Sequence, residues 1–323
     1  MMTEKRRTFH AKILLFGEYA VLCDSMALTV PYERYSGQLD FITGVSRGSD
    51  KRAARQSNKT LKNFLEYLEV LSKNGKMPAS FDPDAMRNDI REGLFFRSTI
   101  PQGYGVGSSG ALCAAVYDRY VLDKITVDKW SPREFRNMKT LFGRLESLFH
   151  GVSSGLDPLN SYVNRPLLVK PGQTITTVKL PQVFSENGGV FLINTGRPGK
   201  TGPLVKHFFE RCKNKDFSDQ IKNEMIPLTD NCIDAFIRGH RDEFFQYLRL
   251  LSVFLLEYFR PMIPDTFEAV WQAGLDSGAY YLKLNGSGGG GFLLGFTPDY
   301  DETRRLLAGL RLEMIPVSVS TFG

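Results

Sequence analysis

The sequence is short of the residues that build disulfide frameworks and histidine metal sites. Its 323 residues include only four cysteines and four histidines, and neither set shows the close spacing typical of metal ligands. The cysteines, Cys23, Cys113, Cys212 and Cys232, are therefore expected to be free thiols in a reducing compartment. No histidine-based metal centre is indicated.

Long apolar runs are also missing, and none reaches the length that a bilayer span requires. The amino-terminal stretch MMTEKRRTFHAKILLFGEYAVL has a basic start and then an apolar segment, as signal peptides do. However, Gly17 and Glu18 interrupt that segment and no small-residue cleavage site follows cleanly. We interpret the stretch as a first β-strand running into a turn, and we expect a cytoplasmic protein with no membrane partner.

Charge is weighted to the basic side, with a net charge of +6 and a pI near 9.0. A chain with this positive charge attracts anionic partners, which can be nucleic acid, membrane lipid or small anionic substrates. Six basic residues and one acidic residue lie between Arg47 and Lys62. Because no aromatic side chains are interleaved with them, a nucleic-acid partner is not expected. We interpret this segment as a solvated or mobile stretch that leads into a helix.

Hydrophobic residues make up 42% of the chain and charged residues 24%, as in ordinary globular proteins. The length favours two domains, and we place their boundary near residue 185, giving domains 1–185 and 186–323. Helical spacing of apolar residues is found in 61–71, 108–122, 131–150, 229–260 and 264–276. Strand patterns occur within 9–45, 93–100, 166–195 and 279–296, and a short helix over 301–310 precedes a final strand.

The stretch IPQGYGVGSSGALCAAVYDRY, residues 100–120, places four glycines and two serines directly before an apolar run. Formally it matches the dinucleotide fingerprint G-x-G-x-x-G, but no acidic residue sits clearly at the end of a second strand, and no Lys-Ser/Thr pair completes a Walker A loop. What remains is a glycine loop that delivers Ser108 and Ser109 to a helix start, where phosphate is attracted. The alternative is a tight turn with a serine as helix cap.

Two further segments carry ionisable side chains. AKILLFGEYAVL places Lys12 inside an apolar strand and Glu18 and Tyr19 at its end. GRLESLFHGVSSGLDPLNSYV carries Glu146 on a helix and Asp157 after a Ser-Ser-Gly turn. Each of these residues alone also has an ordinary structural interpretation. Lys12 is typical of a strand edge, Glu146 of a helix surface and Asp157 of a turn.

The segment KLNGSGGGGFLLGF has five glycines in the six positions from Gly286 to Gly291. An ordinary hairpin needs one or two. We therefore expect the backbone here to approach a ligand or another segment closely.

Together these segments resemble the motifs of the GHMP kinase superfamily and, within it, those of the mevalonate kinases. Lys12–Leu22 matches the first motif, Pro101–Ala111 the second and Lys283–Gly291 the third. SSGLDP resembles the family's PSGxDN, and NTGRPGKT, Asn194–Thr201, resembles a substrate-side segment of mevalonate kinases. The resemblance implies a two-domain α+β fold with a ribosomal-S5-domain-2-like amino-terminal domain and a ferredoxin-like carboxy-terminal domain.

The resemblance also implies an ATP-dependent kinase that uses Mg²⁺ and phosphorylates a small alcohol, with the 5-hydroxyl of mevalonate as the leading acceptor. Asp157 would accept the hydroxyl proton or orient the hydroxyl, and Lys12 would stabilise charge on the transferring group. Ser109 and Glu146 would hold Mg²⁺. ATP and the acceptor would meet between the two domains.

The residues expected at the ATP phosphates are Pro101, Gly103, Gly105, Gly107, Ser108, Ser109, Gly288 and Gly289. Those expected at the acceptor are Glu18, Tyr19 and Thr201, and a homodimer is the assembly considered. Tyr19 stands where mevalonate kinases usually have histidine. A phosphomevalonate kinase, a sugar kinase and a GHMP-fold binding protein without catalysis are therefore kept as alternatives, with a dinucleotide-dependent oxidoreductase more distant.

Overall fold

The computed structural model describes residues 7–318 apart from 46–47, 78–79, 125 and 185. Its helices are α1 (Gly48–Lys73), α2 (Pro83–Arg91), α3 (Ser108–Tyr120), α4 (Pro132–His150), α5 (Leu156–Val163), α6 (Thr201–Arg211), α7 (Lys215–Gln220), α8 (Ile226–Arg238), α9 (Arg241–Tyr258), α10 (Glu268–Ser277) and α11 (Tyr300–Gly309). Its strands are β1 (Phe9–Phe16), β2 (Ala27–Phe41), β3 (Leu94–Ser98), β4 (Leu167–Lys170), β5 (Thr174–Thr177), β6 (Gly189–Asn194), β7 (Tyr281–Leu284), β8 (Phe292–Thr297) and β9 (Met314–Val317). This mixture of helix and sheet confirms the predicted α+β class.

The chain forms two compact units that share the first two strands. The first unit holds the described residues up to Lys12 together with Pro31–Pro101 and Gly107–Asn164. The second holds Ile13–Val30, Gln102–Val106 and the described residues from 165 onward. The predicted domain boundary near residue 185 stays a prediction.

Helices α3, α4 and α5 form much of the core of the first unit. The ring of Phe142 on α4 lies 5.1 Å from that of Tyr117 on α3, and Tyr117 lies 4.9 Å from Tyr162 on α5. Helix α4 begins at a capping box, as its sequence predicts: the Ser131 hydroxyl accepts from the backbone of Glu134, whose carboxylate accepts in return. The strand β3 pairs antiparallel with the second half of β2.

The second unit contains an antiparallel four-stranded sheet in the order β7-β8-β6-β9. With helices between β6 and β7 and α11 between β8 and β9, this is the βαββαβ arrangement of a ferredoxin-like domain. The ring of Phe16 at the end of β1 stacks on Phe296 at 5.3 Å and meets the edge of Phe244 at 5.9 Å. The predicted ferredoxin-like carboxy-terminal domain is confirmed.

The basic segment between residues 47 and 62 is predicted to lead into a helix. In the structure, its residues from Gly48 onward form the start of that helix. Helix α1 begins at Gly48, thirteen residues before the predicted Leu61. Ala54 and Leu61 are buried, whereas Lys51 and Arg55 are exposed. The helix is therefore amphipathic along its length, and its basic face is solvated as expected.

Two other predicted elements differ from the structure. Within 9–45, the apolar pattern over 26–32 and the alternating pattern over 37–42 suggest two strands, but 27–41 form one continuous strand, β2. Its two halves pair with different neighbours, β4 and β3. The predicted helix over 229–260 is two helices, since Gly239 ends α8 in the left-handed region at φ 76°.

The four cysteines are free thiols, as expected. Within the residues that the structure describes, no helix is long and apolar enough to cross a bilayer.

Candidate active site

Lys12 and Asp157 form an ion pair in the first unit. Lys12 lies on β1, whose flanking residues are apolar, and its side chain is only 3% exposed. The Lys12 Nζ atom lies 2.9 Å from Asp157 Oδ1, and the Asp157 side chain is 32% exposed. Strand β1 does lie at an edge of its sheet, but the Lys12 side chain is not the solvated one expected of an edge residue. A buried lysine holds an aspartate that solvent, and hence a small substrate, can reach.

Asp157 is placed by the start of a short helix. It lies in the first turn of α5, which begins after Gly155 in the left-handed region. A Cβ at Gly110 of α3 would come within 2.8 Å of the Asp157 carbonyl carbon, so only glycine permits this approach. The positive end of the α5 dipole favours a carboxylate at this position.

Ser109 and Glu146 form a second pair in the same unit. The Ser109 hydroxyl donates to Glu146 Oε1 at 2.7 Å, and the Ser153 hydroxyl donates to the other carboxylate oxygen. Glu146 is 3% exposed, so its interpretation as a surface residue of α4 is wrong. Burial, followed by the charge of Asp157, raises the pKa of Glu146 to about 7 against the opposing effects of the two hydroxyls and Lys12.

The start of α3 brings these two pairs together. Gly107 is the N-cap of α3 at φ 77°, where a Cβ would lie 2.9 Å from Lys12 Cγ and 3.7 Å from Asp157 Oδ2. No side chain caps the helix, and the Ser109 hydroxyl bonds Glu146 instead, so the interpretation of the serines as helix caps is wrong. Ser108 is half-buried in the first turn. A helix start of this kind favours phosphate.

The remaining glycines of the second motif belong to the second unit, while Pro101, half-buried, ends the preceding stretch of the first. The Gly103 carbonyl accepts from the backbone N–H of Gly199 at 2.7 Å. A Cβ at Gly105 would lie 2.3 Å from the Asn285 carbonyl oxygen. The Asn285 side chain donates to the Tyr104 carbonyl at 3.2 Å. The loop over 103–105 thus packs against the third motif.

The glycine-rich turn of the third motif lies close to other backbone segments of its own unit. A Cβ at Gly288 would lie 2.4 Å from the Met262 carbonyl oxygen, and one at Gly289 would lie 2.6 Å from Leu204 Cδ1. The turn therefore approaches another segment of the protein closely, as one of the two predicted alternatives requires.

The three residues predicted at the acceptor gather beside this turn. Glu18, 6% exposed, is ion-paired with the fully buried Lys283. The Tyr19 hydroxyl donates to the Ser287 carbonyl at 2.7 Å. The Ser287 hydroxyl donates to Thr201 Oγ1 at 3.2 Å. These side chains lie in the second unit.

Sequence reasoning missed two polar residues of these groups. Ser153 was read only as part of a turn, although its position seven residues after Glu146 lets the chain fold back onto that carboxylate. Lys283 opens the third motif and was given no role. The signal that could have identified it is a lone lysine within an apolar strand pattern, because a lysine that is buried there needs an acidic partner.

Among the described residues, no group of three or more histidine, cysteine, aspartate or glutamate side chains is arranged to hold a metal ion. The oxygen groups of Ser109, Ser153, Glu146 and Asp157 suit a cation that is bound partly through phosphate and water, as Mg²⁺ usually is.

Comparison with known proteins shows which families the chain resembles. Residues 232–315 match the family model of the GHMP kinase C-terminal domain. L. major mevalonate kinase, solved in complex with R-mevalonate, superposes with a TM-score of 0.58 at 17% identity, over 98% of this chain and 97% of that one. The carboxy-terminal part of the chain thus matches a GHMP kinase domain, and the whole chain has the fold of these kinases, as the resemblance of its motifs predicts.

Mevalonate kinases and a phosphomevalonate kinase are among the similar proteins. A mevalonate kinase of Thermococcus sibiricus is 24% identical over 308 residues, which are 90% of this chain and 88% of the relative. Streptococcus pneumoniae phosphomevalonate kinase, solved with phosphomevalonate and AMPPNP, shares the fold with a TM-score of 0.61 at 14% identity, over 97% of this chain and 99% of that one.

Proposed function

We propose that this protein is an ATP-dependent kinase that transfers the γ-phosphate of ATP to the 5-hydroxyl of mevalonate. The observation that carries the proposal is the convergence of two pairs at the start of α3: Lys12 with Asp157 at 2.9 Å, and Ser109 with Glu146 at 2.7 Å. Phosphoryl transfer depends on positioning and charge neutralisation, which this arrangement supplies.

Asp157 acts on the acceptor in this proposal. Its partly exposed carboxylate accepts a hydrogen bond from the acceptor hydroxyl and directs the oxygen towards the phosphorus atom. Lys12 stays fixed by burial in β1, and its ammonium stabilises the negative charge that develops on the transferring group.

Glu146 and Ser109 hold Mg²⁺ in this proposal. Without a cation, burial and then the nearby charge of Asp157 raise the pKa of Glu146, because both disfavour its charged form. A divalent cation held by these two residues would offset the negative charge there and would supply charge neutralisation for the phosphates. The amino terminus of α3 positions the phosphates.

The choice of mevalonate is supported by the near full-length similarity to mevalonate kinases and by the NTGRPGKT segment. The test is ADP release by the purified protein with mevalonate, phosphomevalonate, homoserine and galactose, each supplied with MgATP. The proposal expects mevalonate to have the highest kcat/KM by at least about tenfold, a difference of about 1.4 kcal/mol in transition-state binding. Turnover with another acceptor and none with mevalonate would overturn the substrate assignment.

A further inference from the structure

Tyr19 has an unusual backbone conformation for a residue with a side chain. Its φ is 59° and its ψ is −45°, outside the common regions, at the entry to a short 3₁₀ turn. Such conformations cost free energy and persist only where the surroundings hold them. The ring is 5% exposed and lies 4.9 Å from that of Phe208 and 5.3 Å from that of Phe259. The fold therefore aims this side chain in one direction.

The Tyr19 hydroxyl ends at the glycine-rich turn. It donates to the Ser287 carbonyl at 2.7 Å. Burial and the neighbouring charge of Glu18 raise the pKa of Tyr19, so the hydroxyl keeps its proton and remains a donor. Ser287 lies in the middle of the third motif, flanked by Gly286 and Gly288, both with positive φ.

Backbone bonds fix the later part of this turn. The Gly289 N–H donates to the Met262 carbonyl at 2.6 Å, and the Gly291 N–H donates to the Arg197 carbonyl at 2.6 Å. At Ser287 the bonds are made by side chains instead, from the Tyr19 hydroxyl to its carbonyl and from its own hydroxyl to Thr201. A chain with so many glycines has little stiffness of its own.

We infer that Tyr19 is a positioning residue whose hydroxyl holds the third-motif turn, residues 285–291, in its working shape. This role rests on the proposed kinase function, for which Gly288 and Gly289 of this turn are predicted to contact ATP. The side chain acts on the reaction through the Ser287 carbonyl.

The test compares Tyr19→Phe with Tyr280→Phe by amide hydrogen exchange and by kinetics. Tyr280 is the matched control, because it is also buried in the same unit and its hydroxyl also donates to a backbone carbonyl, that of Val270, at 2.7 Å. Each variant loses one buried hydrogen bond and keeps its ring, so similar small losses of global stability are expected.

In Tyr19→Phe, exchange of the amides in peptides covering 285–291 should become about tenfold faster, the effect of one lost hydrogen bond on local opening. The same peptides should be unchanged in Tyr280→Phe. Equal exchange in the two variants would overturn the inference, and this readout stands even if the wild type phosphorylates no acceptor.

With an active wild type, Tyr19→Phe should lower kcat about tenfold while the KM for the acceptor changes less than about threefold, since the hydroxyl shapes the turn and not the acceptor site. Tyr280→Phe should leave both constants unchanged. Faster exchange with unchanged kcat would overturn the positioning role, as would a rise confined to the acceptor KM.

Discussion

Replacing Gly105 with alanine tests how closely the second and third motifs are built together. At φ 76° an alanine is strained, and its Cβ would lie 2.3 Å from the Asn285 carbonyl oxygen. The left-handed conformation alone costs about 1 kcal/mol. Forcing apart two backbone segments adds about 2 kcal/mol, so we expect a total loss of about 3 kcal/mol in the free energy of unfolding.

Gly172→Ala is the matched control. Gly172 has φ 72° and nothing within 4 Å of the position that a Cβ would occupy, so its replacement measures the conformational cost by itself. Urea unfolding of both variants gives the difference. If the loop moves instead of straining, the additional 2 kcal/mol should appear as about 30-fold weaker MgATP binding in calorimetry. Two variants with equal stability and equal nucleotide affinity would refute the reasoning.

Two further predictions concern buried carboxylates. With divalent cations removed by a chelator, folding raises the pKa of Glu146 from 4.5 to about 7. Between these values the folded state keeps a proton that the unfolded state releases. The contribution of Glu146 to the free energy of unfolding therefore falls by about 3 kcal/mol as the pH rises through this range. Unfolding curves of Glu146→Gln against pH should lack this fall, and parallel curves would contradict it. Lys283→Met should cost about 3–5 kcal/mol by leaving Glu18 buried without its ion-pair partner. Adding Glu18→Gln should recover most of that loss in urea unfolding, and a single-variant cost below about 1 kcal/mol would contradict the account.

Local signals in the sequence were sufficient for much of the fold. The capping serine and first-turn proline of α4, and the apolar run after Gly107, predict their helices closely because the causes lie within a few residues. The early start of α1 was missed because its first turns are basic and polar, and the helix there depends on burying single residues such as Ala54. Helix α5 was missed because Gly155 and Pro158 are typical of a turn.

For the candidate site, the sequence predicts the residue types but not the contacts between them. The residue types at Lys12 and Asp157 could be read from the sequence, but they are 145 positions apart, and neither periodicity nor spacing brings them together. The resemblance to a known family supplied that pairing. The burial of Glu146 against Ser153 and the bond from Tyr19 to Ser287 depend on tertiary packing, so no local pattern contains them.

Asp157→Asn tests the central claim most directly, because the change keeps the shape of the side chain while removing its charge. Steady-state ADP release with mevalonate and calorimetric binding of MgATP should be measured on the variant and the wild type. The account predicts that kcat falls at least about a thousandfold, roughly 4 kcal/mol, while the Kd for MgATP stays within about threefold. A variant that turns over mevalonate within tenfold of the wild-type rate would contradict it.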